Sequence, residues 1–168
     1  VTYPNGKFGR YVVITGGNTL SLGLVESHPN LQVTGALTIS AWINVEDTKV
    51  HTIVSTGPGT FATPFNLLLN TTNYTNPTLV LQRANGVGLQ VNEIMPIQGF
   101  QYDSWQHVAV TVSGTNPRNI KFYLNGQFID AGVSYLGLAS FDIDLEAYLG
   151  KTQYDSSRDF SGGLDEVI

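Results

Sequence analysis

Residues 121–129 read Lys121-Phe122-Tyr123-Leu124-Asn125-Gly126-Gln127-Phe128-Ile129, two apolar-rich runs joined by Asn-Gly. An Asn-Gly pair is typical of a two-residue β-hairpin turn, because both turn positions need a positive φ. Asn85-Gly86 carries the same signal earlier in the chain. These stretches predict pairs of antiparallel strands joined by tight turns.

The alternation of apolar and polar residues continues along the chain in segments bounded by Gly, Pro and Asn. No apolar stripe of helical period reaches the length of a helix. About ten short strands of this kind favour an all-β protein with two antiparallel sheets packed as a sandwich, which avoids long exposed edges. The predicted strands are 11–15, 19–22, 37–44, 52–55, 65–70, 78–83, 106–113, 119–124, 127–133 and 146–151.

The composition excludes several classes of partner. Only 12% of the residues are charged, the formal net charge is -5, and the eight Lys and Arg residues are scattered singly. Such a chain has no basic stripe to neutralise a nucleic-acid backbone or an anionic membrane surface. No apolar run approaches the ~20 residues that span a bilayer, and the absence of Cys excludes a disulfide framework. We expect no nucleic acid, no membrane insertion, and a surface suited to neutral hydrogen bonding.

The chain is predicted to be one domain over residues 1–168, since its length is ordinary for a domain and no internal linker or repeat is evident. It starts at Val1 without Met and stops at Asp165-Glu166-Val167-Ile168. We therefore expect the domain to be excised from a larger modular protein, with domains of the parent polypeptide flanking both termini.

Four segments occur in a characteristic order. They are Gly6-Lys7-Phe8-Gly9 with Gly16-Gly17-Asn18; Gly35-Ala36-Leu37-Thr38-Ile39-Ser40-Ala41-Trp42-Ile43; Trp105-Gln106-His107-Val108-Ala109-Val110-Thr111; and Phe160-Ser161-Gly162-Gly163-Leu164-Asp165-Glu166-Val167. Together they resemble the laminin-G-like (LamG-type) branch of the concanavalin A-like lectin and glucanase superfamily. The resemblance implies a two-sheet antiparallel jelly-roll sandwich with the first and last strands side by side. It also implies a role among lectins, glycosidase appendages, adhesion modules and phage tail decorations.

Two groups of polar and aromatic side chains are candidates for sugar binding. Strand parity places Asn66 and Gln82 on the outer face of a sheet. Two loops, 70–76 and 151–159, add aromatic rings and charged groups that resemble a stacking platform and hydroxyl clamps. The carbohydrate-binding candidates are Asn66, Tyr74, Gln82, Tyr154, Asp155 and Arg158. Ordinary solvated loops are the alternative interpretation.

The resemblance gives structural roles to three other conspicuous residues. Trp42 and Trp105 match core-packing positions of the family, although an exposed indole could stack on a sugar. His107 matches a structural hydrogen bonder, and no Ser or Cys nucleophile motif accompanies it. We therefore expect both tryptophans in the core and no catalytic histidine.

The segment 141–146, Phe-Asp-Ile-Asp-Leu-Glu, resembles the acidic strand of the superfamily's glucanases, in which alternate carboxylates face the sugar. A retaining mechanism needs two carboxyl groups about 5–5.5 Å apart. Asp142 and Glu146 occupy positions i and i+4 of a strand, whose Cα atoms lie about 13 Å apart. We therefore expect no enzymatic activity, with glycoside hydrolysis as the less favoured alternative.

A structural calcium ion is implied by the resemblance, because many members of the family hold one beside the first and last strands. The matching ligands here are the Gly16 carbonyl, Asn18 and Asp165, all oxygen donors that suit calcium. Asn18 stands where an acid would bind more strongly. A hairpin turn at 16–18 and a hydrogen-bonded Asp165 are the alternative.

The sequence thus predicts a non-catalytic carbohydrate-binding module that recognises cell-surface or cell-wall polysaccharide. Such a module would belong to a phage tail or baseplate protein, an adhesin or an extracellular enzyme, and would act outside the cell, at a cell surface or on a virion. A structural or protein-interaction decoration domain is the second hypothesis.

Overall fold

The computed structural model describes residues 7–9, 12–15, 19–24, 36–56, 65–84, 90–113, 118–134, 146–152 and 155–168. Within these ranges the chain forms twelve β-strands and one short 3-10 helix, Ser156–Arg158. The strands are β1 (Val12–Ile14), β2 (Leu20–Leu24), β3 (Leu37–Val45), β4 (Val50–Thr56), β5 (Asn66–Asn70), β6 (Thr78–Ala84), β7 (Gln90–Pro96), β8 (Gln106–Ser113), β9 (Arg118–Leu124), β10 (Gln127–Ser134), β11 (Glu146–Leu149) and β12 (Gly162–Asp165).

The strands form two six-stranded antiparallel sheets packed face to face, so the predicted jelly-roll sandwich is confirmed. Sheet 1 has the order β1-β12-β3-β8-β9-β10, and sheet 2 has the order β2-β11-β4-β5-β6-β7. β1 pairs with β12, with Val12 opposite Leu164. This pairing confirms that the first and last strands lie side by side.

The core lies between the two sheets and follows the period-two pattern of the sequence. Along β3, Ala41, Ile43 and Val45 are fully buried, and the residues between them face outward. Sheet 2 contributes buried leucines from β5 and β6 to the same core, and the connections between strands contribute further large side chains. The largest fully buried side chains are Phe65, Phe122, Phe160, Ile14, Ile43, Ile53, Leu67, Leu69, Leu79, Leu81 and Ile97.

The hairpin predicted at Asn125-Gly126 is confirmed. Both residues have positive φ, 50° and 76°, and Gln127 lies opposite Leu124 across the turn. The Asn125 side chain also accepts a hydrogen bond from the His107 backbone N–H at 2.9 Å. The second Asn-Gly lies outside the described residues, although β6 and β7 on either side of it pair with Ala84 opposite Gln90.

Two strands were not among the ten predicted from the sequence. β7 reads Gln-Val-Asn-Glu-Ile-Met-Pro and occupies an edge of sheet 2, where one strand neighbour is enough and the proline at its end is tolerated. β12 contains two glycines, which normally indicate a turn. Gly162 has φ of +134°, and a Cβ there would lie 2.1 Å from the Asn44 carbonyl oxygen, so the glycine allows close strand pairing.

The prediction that the two tryptophans pack in the core is wrong. Trp42 alternates with the buried Ala41 and Ile43 and is half-buried on the outer face of sheet 1. Trp105 is also half-buried and stands just before β8. The prediction rested on the family resemblance, whereas the alternation of Ala41 and Ile43 with Ser40 and Asn44 places Trp42 on the outer, more polar face.

Candidate functional site

Several connections meet at one end of the sandwich, here called the loop end. The register of sheet 2 places them together, since Val50 lies opposite Asn70, Asn70 opposite Thr78, and Thr78 opposite Pro96. The connections at this end include 46–49, 71–77, 97–105, the 125–126 turn and 150–161. Both loops that the sequence analysis selected for sugar binding therefore reach the same end of the molecule.

Tyr74 and Tyr102 form a stacked aromatic pair at the loop end. Their ring centroids are 4.3 Å apart and the rings are nearly parallel, at 8°. Tyr102 packs edge-on against Phe100 at 5.3 Å, and burial raises the pKa of its hydroxyl. Tyr74 lies above it and is 62% exposed, so it presents an aromatic surface to solvent from a supported position.

The loop that carries Tyr74 is shaped by side-chain caps. The Asn70 side-chain oxygen accepts hydrogen bonds from the Thr72 backbone N–H at 3.0 Å and from its hydroxyl at 2.7 Å. Asn73 does the same for Thr75, at 3.2 and 3.0 Å. Such Asx turns stabilise a tight backbone turn outside regular secondary structure. This accounts for the paired Asn and Thr residues of the loop.

Thr71 ties this loop to the connection between β3 and β4. The residue is fully buried, and its backbone N–H donates to the Lys49 carbonyl at 2.8 Å. Its hydroxyl accepts from the Lys49 N–H at 3.0 Å and lies 2.9 Å from the Lys49 carbonyl and 3.1 Å from that of Asp47. Thr71 thus fixes two neighbouring loops to each other.

His51 and Asp159 lie buried beneath the loop end, and sequence reasoning did not select either. The His51 ring packs edge-on against Phe160 at 5.4 Å, and its Nε2 lies 3.2 Å from a carboxylate oxygen of Asp47. Burial lowers the pKa of His51, against the opposing effect of Asp47. Burial also raises the pKa of Asp159, against the opposing effect of the Lys151 and Lys49 ammonium groups. The sequence does not single out these two residues, because their burial arises only in the folded structure.

Asp155 and Arg158 form a clamp at the mouth of the β11–β12 connection. The Arg158 Nε lies 2.8 Å from an Asp155 oxygen, and both side chains are about 40% exposed (38% and 43%). Asp155 also caps the 3-10 helix by accepting from the Ser157 N–H at 3.1 Å. The Ser157 hydroxyl, foremost, and Arg158 lower the pKa of Asp155. This clamp presents one anionic and one cationic group to solvent in a fixed geometry.

The clamp and the tyrosine pair lie at the same end of the sandwich. The Lys151 and Lys49 ammonium groups and the Asp155 carboxylate act electrostatically on the buried Asp159, and the Lys49 backbone N–H donates to the Thr71 hydroxyl in the loop of Tyr74. Tyr74, Asp155 and Arg158 are the exposed candidates at the loop end, here called the rim.

Asn66 and Gln82 lie elsewhere and are not exposed. They face each other across β5 and β6, and the Asn66 amide donates to the Gln82 side-chain oxygen at 2.9 Å. Asn66 is 0% exposed and Gln82 is 4% exposed. Asn66 also stands four residues from Asn70, about 13 Å along the strand. The predicted sugar residues are thus divided between the rim and a buried polar pair.

The buried pair belongs to an outer face of sheet 2 that is itself covered. Leu68 and Val80 on this face are 3% and 7% exposed. The Asn66 side-chain oxygen and the Thr52 hydroxyl are buried and have no hydrogen-bond partner among the described residues. The face resembles an interior more than an open platform.

Several predicted site residues lie outside the described residues, namely Tyr154, Gly16, Asn18, Asp142 and Asp144. Glu146, the third acid of its segment, accepts a hydrogen bond from the Tyr148 hydroxyl. The predicted row of three carboxylates is therefore not tested.

Asp165, the remaining predicted calcium ligand, is 7% exposed. Its two oxygens accept hydrogen bonds from the backbone N–H groups of Phe8 at 3.2 Å and Glu166 at 2.9 Å. In the part of the chain that the structure describes, no group of three or more His, Asp or Glu side chains converges. Asp165 thus acts as a backbone anchor there, and the calcium site with Gly16 and Asn18 stays a prediction.

Two clefts are lined by residues other than the tyrosine pair and the clamp. One, of about 530 Å³, runs along the β9–β10 hairpin beside the end of β7, and is lined by Pro96, Gln98, Leu124, Asn125, Gln127, Phe128, Ile129 and Asp130. The other, of about 370 Å³, lies on the outer face of sheet 1 around Trp42. Among the described residues, no helix is long and apolar enough to cross a membrane.

Comparison with known proteins gives a family and a set of similar folds. A laminin G family model, described as the concanavalin A-like lectin/glucanases superfamily, matches residues 15–168. No curated protein matches the chain significantly.

Three solved structures illustrate the likeness of fold. The carbohydrate-binding module CBM40 of a Ruminococcus gnavus sialidase, bound to α2,3 sialyllactose, has a TM-score of 0.72 and 17% identity over 94% of this chain and 86% of its own. Domain 4 of the extracellular arabinanase AbnA of Geobacillus stearothermophilus, in complex with arabinotriose, has a TM-score of 0.65 and 20% identity over 98% and 72%. A pentraxin of Limulus polyphemus has a TM-score of 0.63 and 17% identity over 81% of this chain, which spans 65% of the pentraxin's length.

Proposed function

Because the chain belongs to the concanavalin A-like lectin/glucanases superfamily, we propose that it is a non-catalytic carbohydrate-binding module with its sugar site at the loop end. The site consists of the Tyr74–Tyr102 pair and the Asp155–Arg158 clamp. It recognises a polysaccharide or glycan of a cell surface or cell wall, and it acts outside the cell or on a virion as part of a larger protein.

The exposed ring of Tyr74 carries this proposal. An aromatic face offers an apolar surface to the C–H groups of a pyranose, and its phenol adds a hydrogen-bonding edge. Tyr74 is 62% exposed although it is already stacked on Tyr102, so the ring is both available and held in place. A ring that is fixed before binding loses little conformational freedom when a sugar stacks on it.

The Asp155–Arg158 clamp provides the charged hydrogen-bonding groups that the Tyr74 ring lacks. Asp155 accepts and Arg158 donates hydrogen bonds, and both remain partly exposed. The lowered pKa of Asp155 keeps the carboxylate ionised at neutral pH, so it can accept from sugar hydroxyls. A few polar groups beside an aromatic surface are the usual composition of a small-molecule site.

The similar folds support a sugar as the ligand class. Two of them are sugar complexes, with sialyllactose and arabinotriose. Shallow sites of this kind bind weakly one at a time, and repetition in a modular protein or virion raises the overall strength.

Binding of glycans to wild-type protein and to two matched variants tests the proposal. Tyr74→Ala removes the stacking surface and is expected to weaken binding by about tenfold, which corresponds to about 1.4 kcal/mol. Phe128→Ala removes an aromatic ring of similar exposure, 57%, on the edge strand β10 of sheet 1, outside the proposed site, and should leave sugar affinity unchanged. Calorimetric titration with sugars selected on a glycan array measures both. Equal affinities of Tyr74→Ala and wild type would refute the site.

The non-catalytic part of the proposal is tested separately. We expect no release of reducing ends from β-glucans by the wild-type protein. Release that disappears in Glu146→Gln would instead establish a glycoside hydrolase.

Protein interaction is the second candidate function, and the cleft of about 530 Å³ beside the β9–β10 hairpin favours it. Phe128 stands exposed there and packs edge-on against Tyr123 at 5.9 Å. These two variants, together with Arg158→Ala, separate the functions. A protein-interaction domain loses attachment to its target in Phe128→Ala and keeps it in both Tyr74→Ala and Arg158→Ala.

A further inference from the structure

The rings of Trp42, His107 and Phe8 form a cluster on the outer face of sheet 1. Trp42 on β3 lies opposite His107 on β8, with ring centroids 5.4 Å apart. Phe8 packs edge-on against Trp42 at 5.5 Å. Together with Ser40, Glu166 and Ile168 these rings line the cleft of about 370 Å³, a size within the ~300–1,000 Å³ of small-molecule sites.

The Lys7 side chain already places a cation over the face of the Trp42 ring. The Lys7 ammonium lies 5.0 Å from its centroid, within the distance at which the negative face of an aromatic ring attracts positive charge. The exposed Glu166 adds a carboxylate to the cleft. Burial lowers the pKa of His107, so the imidazole is neutral at pH 7 and does not repel a cation.

The walls of the cleft are held in place by backbone hydrogen bonds, whereas the Lys7 side chain is exposed. The Asp165 carboxylate accepts the Phe8 N–H and fixes the backbone that carries this ring. Ser40 and Ile168 exchange two backbone hydrogen bonds, both 2.9 Å. Lys7 is exposed, and a solvated lysine on a flexible stem can be displaced at low cost.

We propose that this cleft binds a small quaternary ammonium ligand, whose cation replaces the Lys7 ammonium over Trp42. The rings offer attraction to positive charge without hydrogen-bond acceptors at their faces. A quaternary ammonium has no N–H to satisfy, and aromatic cages are the known means of recognising it. The site lies on sheet 1 and is independent of the sugar site at the loop end.

Titration with choline chloride, followed by two-dimensional NMR of the indole N–H groups, tests the proposal. We expect a saturable shift of one indole signal in the wild-type protein. Lys7→Ala should raise the apparent affinity severalfold, because the competing cation is removed. Lys121→Ala, which removes an exposed lysine from β9 of the same sheet, should leave the affinity unchanged. A gain of binding in Lys7→Ala cannot result from misfolding.

An uncharged analogue provides the second arm. The alcohol 3,3-dimethyl-1-butanol has the shape of choline without its charge and should produce no saturable shift. Phe8→Leu, at a 62% exposed position, should weaken choline binding while the remaining spectrum stays that of the folded protein. The proposal is wrong if choline shifts no indole signal in either wild type or Lys7→Ala. It is equally wrong if the alcohol binds as well as choline, or if Lys7→Ala and Lys121→Ala behave alike.

Discussion

Two glycines at strand junctions differ in the reason why a larger side chain is disfavoured. Gly162 begins β12 with φ of +134°, and a Cβ there would meet the Asn44 carbonyl oxygen at 2.1 Å. Gly126 also has a positive φ, 76°, but a Cβ there would meet nothing within 4 Å. The two glycines therefore separate backbone strain from steric clash.

Gly162→Ala is expected to destabilise the protein by about 3 kcal/mol or more, since strain and a backbone clash act together. Gly126→Ala should cost only about 1 kcal/mol, the strain of a left-handed residue. Urea unfolding of both variants measures the difference. Equal destabilisation would contradict the close approach of β12 to β3.

The buried histidine at position 51 makes stability depend on pH. Burial lowers its folded-state pKa below the ordinary 6.5, so between these two values the unfolded chain binds more protons than the native one. Stability is therefore expected to fall as the pH drops through about 6.5, and His107, whose pKa is lowered in the same way, adds to the fall. Asp159 acts in the opposite sense, because its raised pKa lets the native state hold a proton more readily.

His51→Gln isolates the contribution of this group, because it leaves Asp159 and His107 in place. The loss of unfolding free energy between pH 7.5 and pH 5.5, from urea curves, should be smaller in this variant than in the wild type. An identical loss in both proteins would show that His51 does not titrate as described.

At the scale of elements, the loop end depends on loops that are fastened to one another. Thr71 joins the β5–β6 loop to the β3–β4 connection through its hydroxyl and backbone. The Thr71 residue is fully buried, so removal of its hydroxyl leaves the Lys49 N–H without its partner. We expect the loop that carries Tyr74 to be held less firmly as a result.

Thr71→Val keeps the shape of the side chain and removes the hydroxyl. We expect it to destabilise the protein by about 1–3 kcal/mol, the cost of an unpaired buried donor, and to weaken sugar binding. Thr71→Ser retains the hydroxyl and should keep most of both. Thermal unfolding and glycan titration on the pair provide the measurements, and a Val variant as stable as the Ser variant would contradict the role of this joint.

Sequence patterns predicted elements well where local rules decide. Asn125-Gly126 gave its hairpin, and alternation gave strands such as β3 and β8. β12 was missed because Gly162 and Gly163 indicate a turn locally and become a strand only against Asn44 and Ile43 of β3. Trp42 was placed in the core because the resemblance was followed there, although the alternation in β3 puts it on the same face as Ser40 and Asn44.

At the scale of the whole molecule, strand register determines which loops can cooperate. Tyr74, Asp155 and Arg158 could be selected from the sequence because aromatic and charged residues in loops rich in Asn, Thr and Ser are conspicuous. Their shared rim depends on pairings between strands far apart in sequence. Asn66 and Gln82 have the expected parity, but their burial arises from the rest of the fold and could not be read from the strands themselves.

A crystal structure of the protein soaked with the saccharides that bind best on a glycan array is the decisive test of the sugar site at the loop end. We expect a sugar ring stacked on the exposed face of Tyr74, with hydroxyl groups bonded to Asp155 and Arg158. A saccharide bound at another surface of the sandwich, with the Tyr74 ring left bare, would contradict it.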